Sequence, residues 1–145
     1  MGIYTGVDTD VIIKPNEREV NWLRWITEGI GGTKDTEPTP PSHPFFGMWR
    51  RTFLFRGWSA YFPEMNEKRK DECLPIFRRH KGANGLYLLR CAASLKNYEN
   101  EVAAWISWLE EVAVVGTVKW RHEDHAEWSD HIFGDDTSNV RDDGL

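Results

Sequence analysis

Polar and apolar positions alternate near the start of the chain and then change to a helical spacing. Over residues 3–14, Val7 and Val11 fall on one side of the alternation. Asp8 and Asp10 fall on the other side. Because successive side chains of a strand point to opposite faces, this pattern predicts a strand with one buried face.

A helix is predicted directly after this strand. Asn16 can accept a hydrogen bond from the first turn, and Glu19 stands three residues later, as in a capping box. The apolar positions that follow cluster on one side of a helical wheel: Val20, Trp22, Leu23, Ile26 and Ile30. The glycines Gly29, Gly31 and Gly32 end the helix.

The second half of the chain repeats the order of strand and helix. The apolar run 86–95 predicts the clearest buried strand, and Asn97 or Asn100 then begins an amphipathic helix. Residues 114–120 alternate again and predict another strand. The pair 132–133 can add a short edge strand.

The middle of the chain has a different character. Residues 31–44 contain four prolines, which exclude a helix and a central strand and predict an irregular loop. Residues 45–62 are dense in aromatic side chains, and the alternation from Trp49 to Phe55 predicts a strand. The charged residues 64–81 are interpreted as a loop with one short helix.

Together these elements predict a single α+β domain over residues 1–133, followed by an acidic flexible tail over 134–145. We expect one sheet of about four strands, with both helices packed on one face in a ferredoxin-like arrangement. The other face would be partly open, and Trp49, Trp58 and Trp120 are the aromatic residues expected there.

Composition limits the class of protein. The chain has 145 residues, of which 40% are hydrophobic and 13% aromatic, which fits one folded domain rather than a disordered chain. Two cysteines are too few for a disulfide framework and fit a reducing compartment. No apolar run reaches the roughly 18 residues of a membrane span, and the start lacks the features of a signal peptide. We therefore expect no membrane partner.

The net charge of −5 conceals two segments of opposite sign. Residues 50–90 contain 10 Lys and Arg against 4 Asp and Glu, whereas residues 122–145 contain 1 against 8. The basic segment is interpreted as a solvated surface or, alternatively, as an anion-binding region. General nucleic-acid binding is disfavoured, because the chain as a whole is acidic.

Catalytic signals are weak. No Gly-x-Ser-x-Gly is present, and the glycines at 29–32 follow a helix rather than a strand, so they do not form a dinucleotide-binding loop. His122, His125 and His131 lie among carboxylates and are the candidate ligands of a Zn²⁺ or Mn²⁺ ion. Their spacing is better explained by a polar loop. We therefore predict no metal, no cofactor and no enzymatic activity.

Arginines and aromatic residues carry the binding hypothesis. Arg can hold phosphate or carboxylate with two parallel hydrogen bonds, and aromatic faces stack on planar groups. Asn97 is either a helix cap or part of a site at the helix N-terminus. The candidate ligand-binding or partner-binding residues are Trp49, Arg50, Arg56, Trp58, Arg90, Lys96, Asn97, Tyr98 and Trp120.

Several short strings resemble one group of proteins. They are Met1-Gly2-Ile3-Tyr4-Thr5, His43-Pro44-Phe45-Phe46, Ser59-Ala60-Tyr61-Phe62 and Ser94-Leu95-Lys96-Asn97-Tyr98-Glu99-Asn100-Glu101. In these strings the chain is similar to small proteins encoded by bacteriophages and prophages, a group from which no catalytic residue carries over. The resemblance implies a phage protein in the host bacterial cytoplasm that binds host machinery.

Three functions follow as hypotheses. The first is a non-catalytic phage accessory protein that binds and inhibits a host protein or complex, such as a bacterial defence system. The second is a nucleotide-sequestering protein that uses Arg50, Arg56 and Arg90. The third is a metal-dependent enzyme built on the cluster at 122–131. Self-association through the aromatic face is a further expectation.

Overall fold

The computed structural model describes residues 4–28, 36–57, 75–82 and 84–134. These residues form one antiparallel sheet and two helices. The strands are β1 (Tyr4–Ile13), β2 (Ile76–Arg79), β3 (Tyr87–Lys96), β4 (Ala113–His122) and β5 (Ser129–Phe133). The helices are α1 (Glu17–Glu28) and α2 (Glu101–Val112), and the sheet order is β2-β3-β1-β4-β5.

Strand β1 lies at the centre of the sheet and pairs along its length with β3 and β4. Thr9 faces Cys91 on one side and Val118 on the other. The alternation predicted from the sequence is confirmed, because Val7 and Val11 belong to the core. The α+β class is therefore confirmed, but the sheet has five strands rather than about four.

The capping box predicted at the start of α1 is present. The Glu19 N–H donates to Asn16 Oδ1, and the Asn16 N–H donates to Glu19 Oε1, both at 2.8 Å. Helix α2 starts differently. Asn97 Oδ1 accepts from the Val102 N–H at 3.0 Å, whereas Asn100 has a φ of 61° and makes no side-chain capping bond. Of the two predicted caps, Asn97 is the one that bonds to the helix.

Both helices contribute to the same hydrophobic core as the inner face of the sheet. Its largest side chains are three fully buried tryptophans, Trp22 from α1 and Trp105 and Trp108 from α2. The rings of Trp105 and Trp108 lie 5.3 Å apart, and Phe46 contacts both Trp22 and Trp108 edge-on. Edge-to-face contacts of this kind add to the burial energy of the rings.

Each of these indole N–H groups has a polar acceptor from a different part of the chain. Trp105 donates to the Thr9 hydroxyl of β1 at 2.9 Å. Trp108 donates to Glu19 Oε2 of α1 at 2.7 Å, and Trp22 donates to Glu37 Oε2 at 2.7 Å. Since a buried donor without a partner is costly, these bonds favour one arrangement, in which the first joins α2 to the sheet, the second joins the two helices and the third joins α1 to the segment around Glu37.

The strand predicted around Trp49 to Phe55 is wrong. This part of the chain forms two short 3-10 helices, Pro44–Gly47 and Phe53–Phe55. Their apolar side chains enter the core as adjacent pairs rather than at alternate positions: Phe45 and Phe46, and Leu54 and Phe55. The first helix is capped by its own sequence, because His43 Nδ1 accepts from the Phe45 N–H at 3.1 Å.

Strand β2 was not predicted. Residues 64–81 were expected to be a loop with one short helix, and β2 lies within that segment. It has only four residues, and two of them are arginines. At the other edge, the short strand expected at 132–133 is confirmed and extends over β5. Trp58, residues 64–74 and residues 135–145 of the predicted tail lie outside the described residues.

One glycine is required by the sheet geometry. Gly116 of β4 faces Val11 and has a φ of +135°, in the region that favours glycine. A Cβ built there would lie 2.4 Å from the carbonyl oxygen of Asp10. The backbones of the central strand and β4 therefore approach too closely for any side chain at this position.

Neither helix in the described part of the chain is long and apolar enough to cross a bilayer.

Candidate functional site

Trp49 and Arg50 lie in the turn between the two 3-10 helices. Backbone hydrogen bonds hold this turn on both sides, from the Arg51 N–H to the Met48 carbonyl and from the Phe53 N–H to the Arg50 carbonyl. Helix α2 packs against the first 3-10 helix. The turn is thereby placed beside the N-terminus of α2, where Tyr98 precedes the helix.

The Arg50 guanidinium links these two segments. Its Nη1 donates to Glu101 Oε2 at 3.1 Å, and the Glu101 side chain is fully buried. Its Cζ lies 5.1 Å from the ring centre of Trp49 and 5.0 Å from that of Tyr98. A cation that contacts two aromatic rings and a buried carboxylate has little freedom to move, so Arg50 fixes both rings.

Both rings are nevertheless exposed to solvent. Trp49 is 69% exposed and Tyr98 is 58% exposed. In the described residues, only two other large hydrophobic side chains are exposed, Val114 and Ile132 of the β4–β5 edge. Exposed aromatic residues that are already immobilised lose little entropy when a partner covers them.

The second 3-10 helix and the residue that follows it add Phe53 and Arg56 to this surface. The Trp49 and Phe53 ring centres lie 5.4 Å apart, and the Arg56 guanidinium carbon lies 3.4 Å from the Phe53 ring centre. Partial burial lowers the pKa of Arg56, without removing its charge at neutral pH. We name the set of Trp49, Arg50, Phe53, Arg56 and Tyr98 the aromatic–arginine surface.

Other predicted site residues do not join this surface. Arg90 donates from Nε to Asp10 Oδ1 at 3.0 Å, on the sheet face opposite the helices. The sheet thus separates it from Arg50. The Lys96 ammonium lies 5.4 Å from the ring centre of Tyr4, and Asn97 caps α2.

The tryptophans expected on the open sheet face are not found together there. Trp120 faces Val7 across the sheet and packs partly buried against the core, on the face covered by the helices. Trp49 lies in a turn rather than in a strand. Trp58 is outside the described residues. The exposed aromatic surface is therefore built by a turn and a helix start instead of by the sheet.

Two of the three candidate metal-ligating histidines, His122 and His125, lie together, and His131 lies beside a different side chain. His122 Nδ1 lies 2.7 Å from the Thr5 hydroxyl, and the rings of His122 and His125 are 5.3 Å apart. His131 Nε2 lies 3.4 Å from Glu110 Oε2. Among residues 4–28, 36–57, 75–82 and 84–134, no group of three or more His, Cys, Asp or Glu side chains is close enough to hold a metal ion.

One arrangement that the sequence does not predict resembles a catalytic triad. His43 Nε2 lies 3.2 Å from the Ser107 hydroxyl and 3.7 Å from Glu111 Oε2. However, His43 Nδ1 accepts from the Phe45 N–H, so neutral His43 carries its hydrogen on Nε2. A general base must accept the serine proton at that nitrogen. The group therefore ties the first 3-10 helix to α2 and does not activate Ser107.

No protein-family model matches the chain, and neither the curated proteins nor the solved structures provide a match. The resemblance to phage proteins therefore stays a prediction. Sequence reasoning missed two residues of the geometry of the aromatic–arginine surface. Glu101 was missed because its contact with Arg50 spans 51 residues, and Phe53, which contacts Trp49 and Arg56, was assigned to a strand.

Proposed function

We propose that the chain is a non-catalytic binding protein that contacts a protein partner through the aromatic–arginine surface. One observation carries the proposal. Trp49 and Tyr98 are both exposed to solvent, and both contact Arg50, whose guanidinium is bound to the buried carboxylate of Glu101. Trp, Tyr and Arg are the residues that contribute most binding energy at protein interfaces. Their clustering at one place favours a protein-binding role.

A protein partner is favoured over a small molecule at this surface. Arg50 contacts both Trp49 and Tyr98 and uses Nη1 to bind Glu101. The space beside both rings that a small ligand would need is therefore partly filled by the chain's own arginine. The exposed remainder of each ring suits contact with a broad protein surface, where aromatic anchors fill shallow pockets of the partner.

The resemblance to phage proteins supports a more specific form of the proposal. In that form the partner is a host component in the bacterial cytoplasm, such as a defence complex, and binding inhibits it. Inhibition by occupation needs no catalytic group.

The arrangement we infer for the domain is ferredoxin-like with one added strand. The order β2-β3-β1-β4, the antiparallel pairing of all neighbours and the packing of both helices into one core support this inference. Strand β5 would then be an addition at the β4 edge. In such a domain the surface lies at one end of α2 and leaves the sheet face free.

The test compares binding by wild type and two alanine variants. Purified tagged protein is used to capture partners from bacterial lysate, and the recovered partner is then purified and titrated directly. We expect Trp49→Ala to weaken binding by about 30-fold or more, as for residues that contribute about 2 kcal/mol. The matched control is Ile132→Ala, which removes another exposed apolar side chain, 57% exposed, from a different surface.

Stability separates a binding defect from a folding defect. Because Trp49 is largely exposed, Trp49→Ala should leave the midpoint of thermal unfolding close to that of wild type. Equal binding by wild type and Trp49→Ala, or equal losses in Trp49→Ala and Ile132→Ala, would contradict a role for this surface.

A further inference from the structure

The hairpin formed by β2 and β3 carries basic side chains that have no hydrogen-bond or ion-pair partner among the residues that the structure describes. Arg78, Arg79 and Lys81 are exposed, and in the described part of the chain their side chains make no hydrogen bond or ion pair. The arginines of the aromatic–arginine surface and of β3, by contrast, already contact rings or carboxylates. No Asp or Glu occurs between residues 73 and 98, so the segment that forms β2, the hairpin turn and β3 has no acidic side chain of its own.

A cavity of ≈ 340 Å³ lies at the end of this hairpin. Its polar lining includes Arg79 and Asn84, together with the backbone of Gly82 and Gly85. Both glycines have positive φ, 93° and 79°, and a Cβ on either would meet nothing within 4 Å. The space above their backbone is therefore open to an incoming group.

The apolar lining of the cavity comes from Leu86 and Tyr87. Tyr87 is held in place, because its ring stacks on Phe77 of β2 with 4.8 Å between ring centres and 9° between planes. The His80 N–H donates to the Leu86 carbonyl at 2.9 Å and closes the hairpin. The cavity thus has one apolar side, which the stacking of Tyr87 on Phe77 holds in place, and one basic, polar side formed by Arg79 and Asn84.

We propose that this cavity binds a small phosphorylated ligand of the nucleotide class. The Arg79 guanidinium and the Asn84 amide are donors suited to phosphate oxygens, and an open glycine backbone lets N–H groups approach an anion. Leu86 and Tyr87 supply apolar surface for a base. The volume lies at the lower end of small-molecule sites, about 300–1,000 Å³, which fits one nucleotide. The site shares no residue with the aromatic–arginine surface.

The test uses the full chain labelled with ¹⁵N and titrated with AMP, ATP and inorganic phosphate. We expect saturable shifts of the backbone amide signals of Gly82, Asn84 and Gly85, with tighter binding of the nucleotides than of phosphate alone. Arg79→Gln should weaken nucleotide binding by 10-fold or more. The matched control is Arg78→Gln, which removes the same charge one position earlier in β2 and does not line the cavity.

Three results would overturn the proposal. The first is the absence of shifts in the three loop amides. The second is an equal loss of binding in Arg78→Gln and Arg79→Gln, which would indicate general charge attraction rather than a site. The third is binding of a single-stranded oligonucleotide without binding of any mononucleotide, which would indicate a polynucleotide surface. Because both arginines are exposed, the amide spectra of the variants should otherwise match wild type.

Discussion

Replacement of Glu19 by alanine should destabilise the protein far more than its position in the first turn of a helix indicates. Glu19 is only 6% exposed. One carboxylate oxygen accepts from the Asn16 N–H and the other accepts from the indole N–H of the fully buried Trp108. The substitution therefore removes a helix cap and the acceptor of a buried donor at the same time.

The magnitude follows from these two losses. An unsatisfied buried donor costs about 1–3 kcal/mol. Loss of half of a capping box costs about 0.5–1 kcal/mol, and Asn16 is exposed, so water can replace that bond. We expect Glu19→Ala to lower the free energy of unfolding by about 1.5–4 kcal/mol. Glu19→Gln should fall between wild type and Glu19→Ala, since its amide can accept only one of the two bonds.

Urea denaturation followed by far-ultraviolet circular dichroism measures these differences, with the slope of the transition checked for each variant. Glu17→Ala is the matched control, because Glu17 is exposed in the same turn of α1, and it should change stability by less than about 0.5 kcal/mol. If Glu19→Ala is no more destabilising than Glu17→Ala, the bond to Trp108 does not hold the two helices together.

Two further predictions concern stability. Gly116→Ala should lower the free energy of unfolding by about 3 kcal/mol or more, because it places a side chain at a positive φ and within 2.4 Å of the Asp10 carbonyl oxygen. The control is Gly47→Ala, where a Cβ meets nothing within 4 Å. Equal melting temperatures for the two variants would contradict the geometry. The hydrogen bond from Arg51, followed by that from Trp22, lowers the pKa of Glu37 from its ordinary 4.5. The stabilisation from ionised Glu37 is therefore fully present above about pH 4.5 and is lost as the pH falls through the lowered pKa. The stability difference between wild type and Glu37→Gln, measured by denaturation from pH 7 to 3, should shrink below pH 4.5; a difference that stays constant would count against the ion pair.

The regular elements were predictable because each has a strong period. Strand β1 alternates between Val and Asp, and each of the two amphipathic helices has an apolar stripe that follows a capping Asn. Strand β2 escaped prediction because four residues are too few to show a period. The turn around Trp49 was predicted to be a strand because aromatic residues are so frequent there that an alternating pattern arises without a strand.

The candidate surface was predictable only in its residue types. The sequence identifies Trp49, Arg50 and Tyr98 as candidates, because Trp, Arg and Tyr are common at binding surfaces. Their contact with one another depends on how α2 packs against the 3-10 helices. Sequence patterns of one element carry no information on that packing. The same limit explains why Arg90, which the sequence groups with Arg50, lies on the opposite side of the sheet.

The tryptophans of this protein differ in how well a quencher in solution can reach them, so their fluorescence distinguishes the interior from the surface. Trp22, Trp105 and Trp108 are fully enclosed and touch one another or a common Phe46 ring. Among the described tryptophans, only Trp49 is exposed. Of the described tryptophans, Trp49 is the most open to a water-soluble quencher such as iodide, whereas the three enclosed indoles keep their emission and Trp25, Trp120 and Trp128 are partly buried. The residue proposed to meet the partner is thus also a natural fluorophore, and its shielding on complex formation can be followed without any added dye.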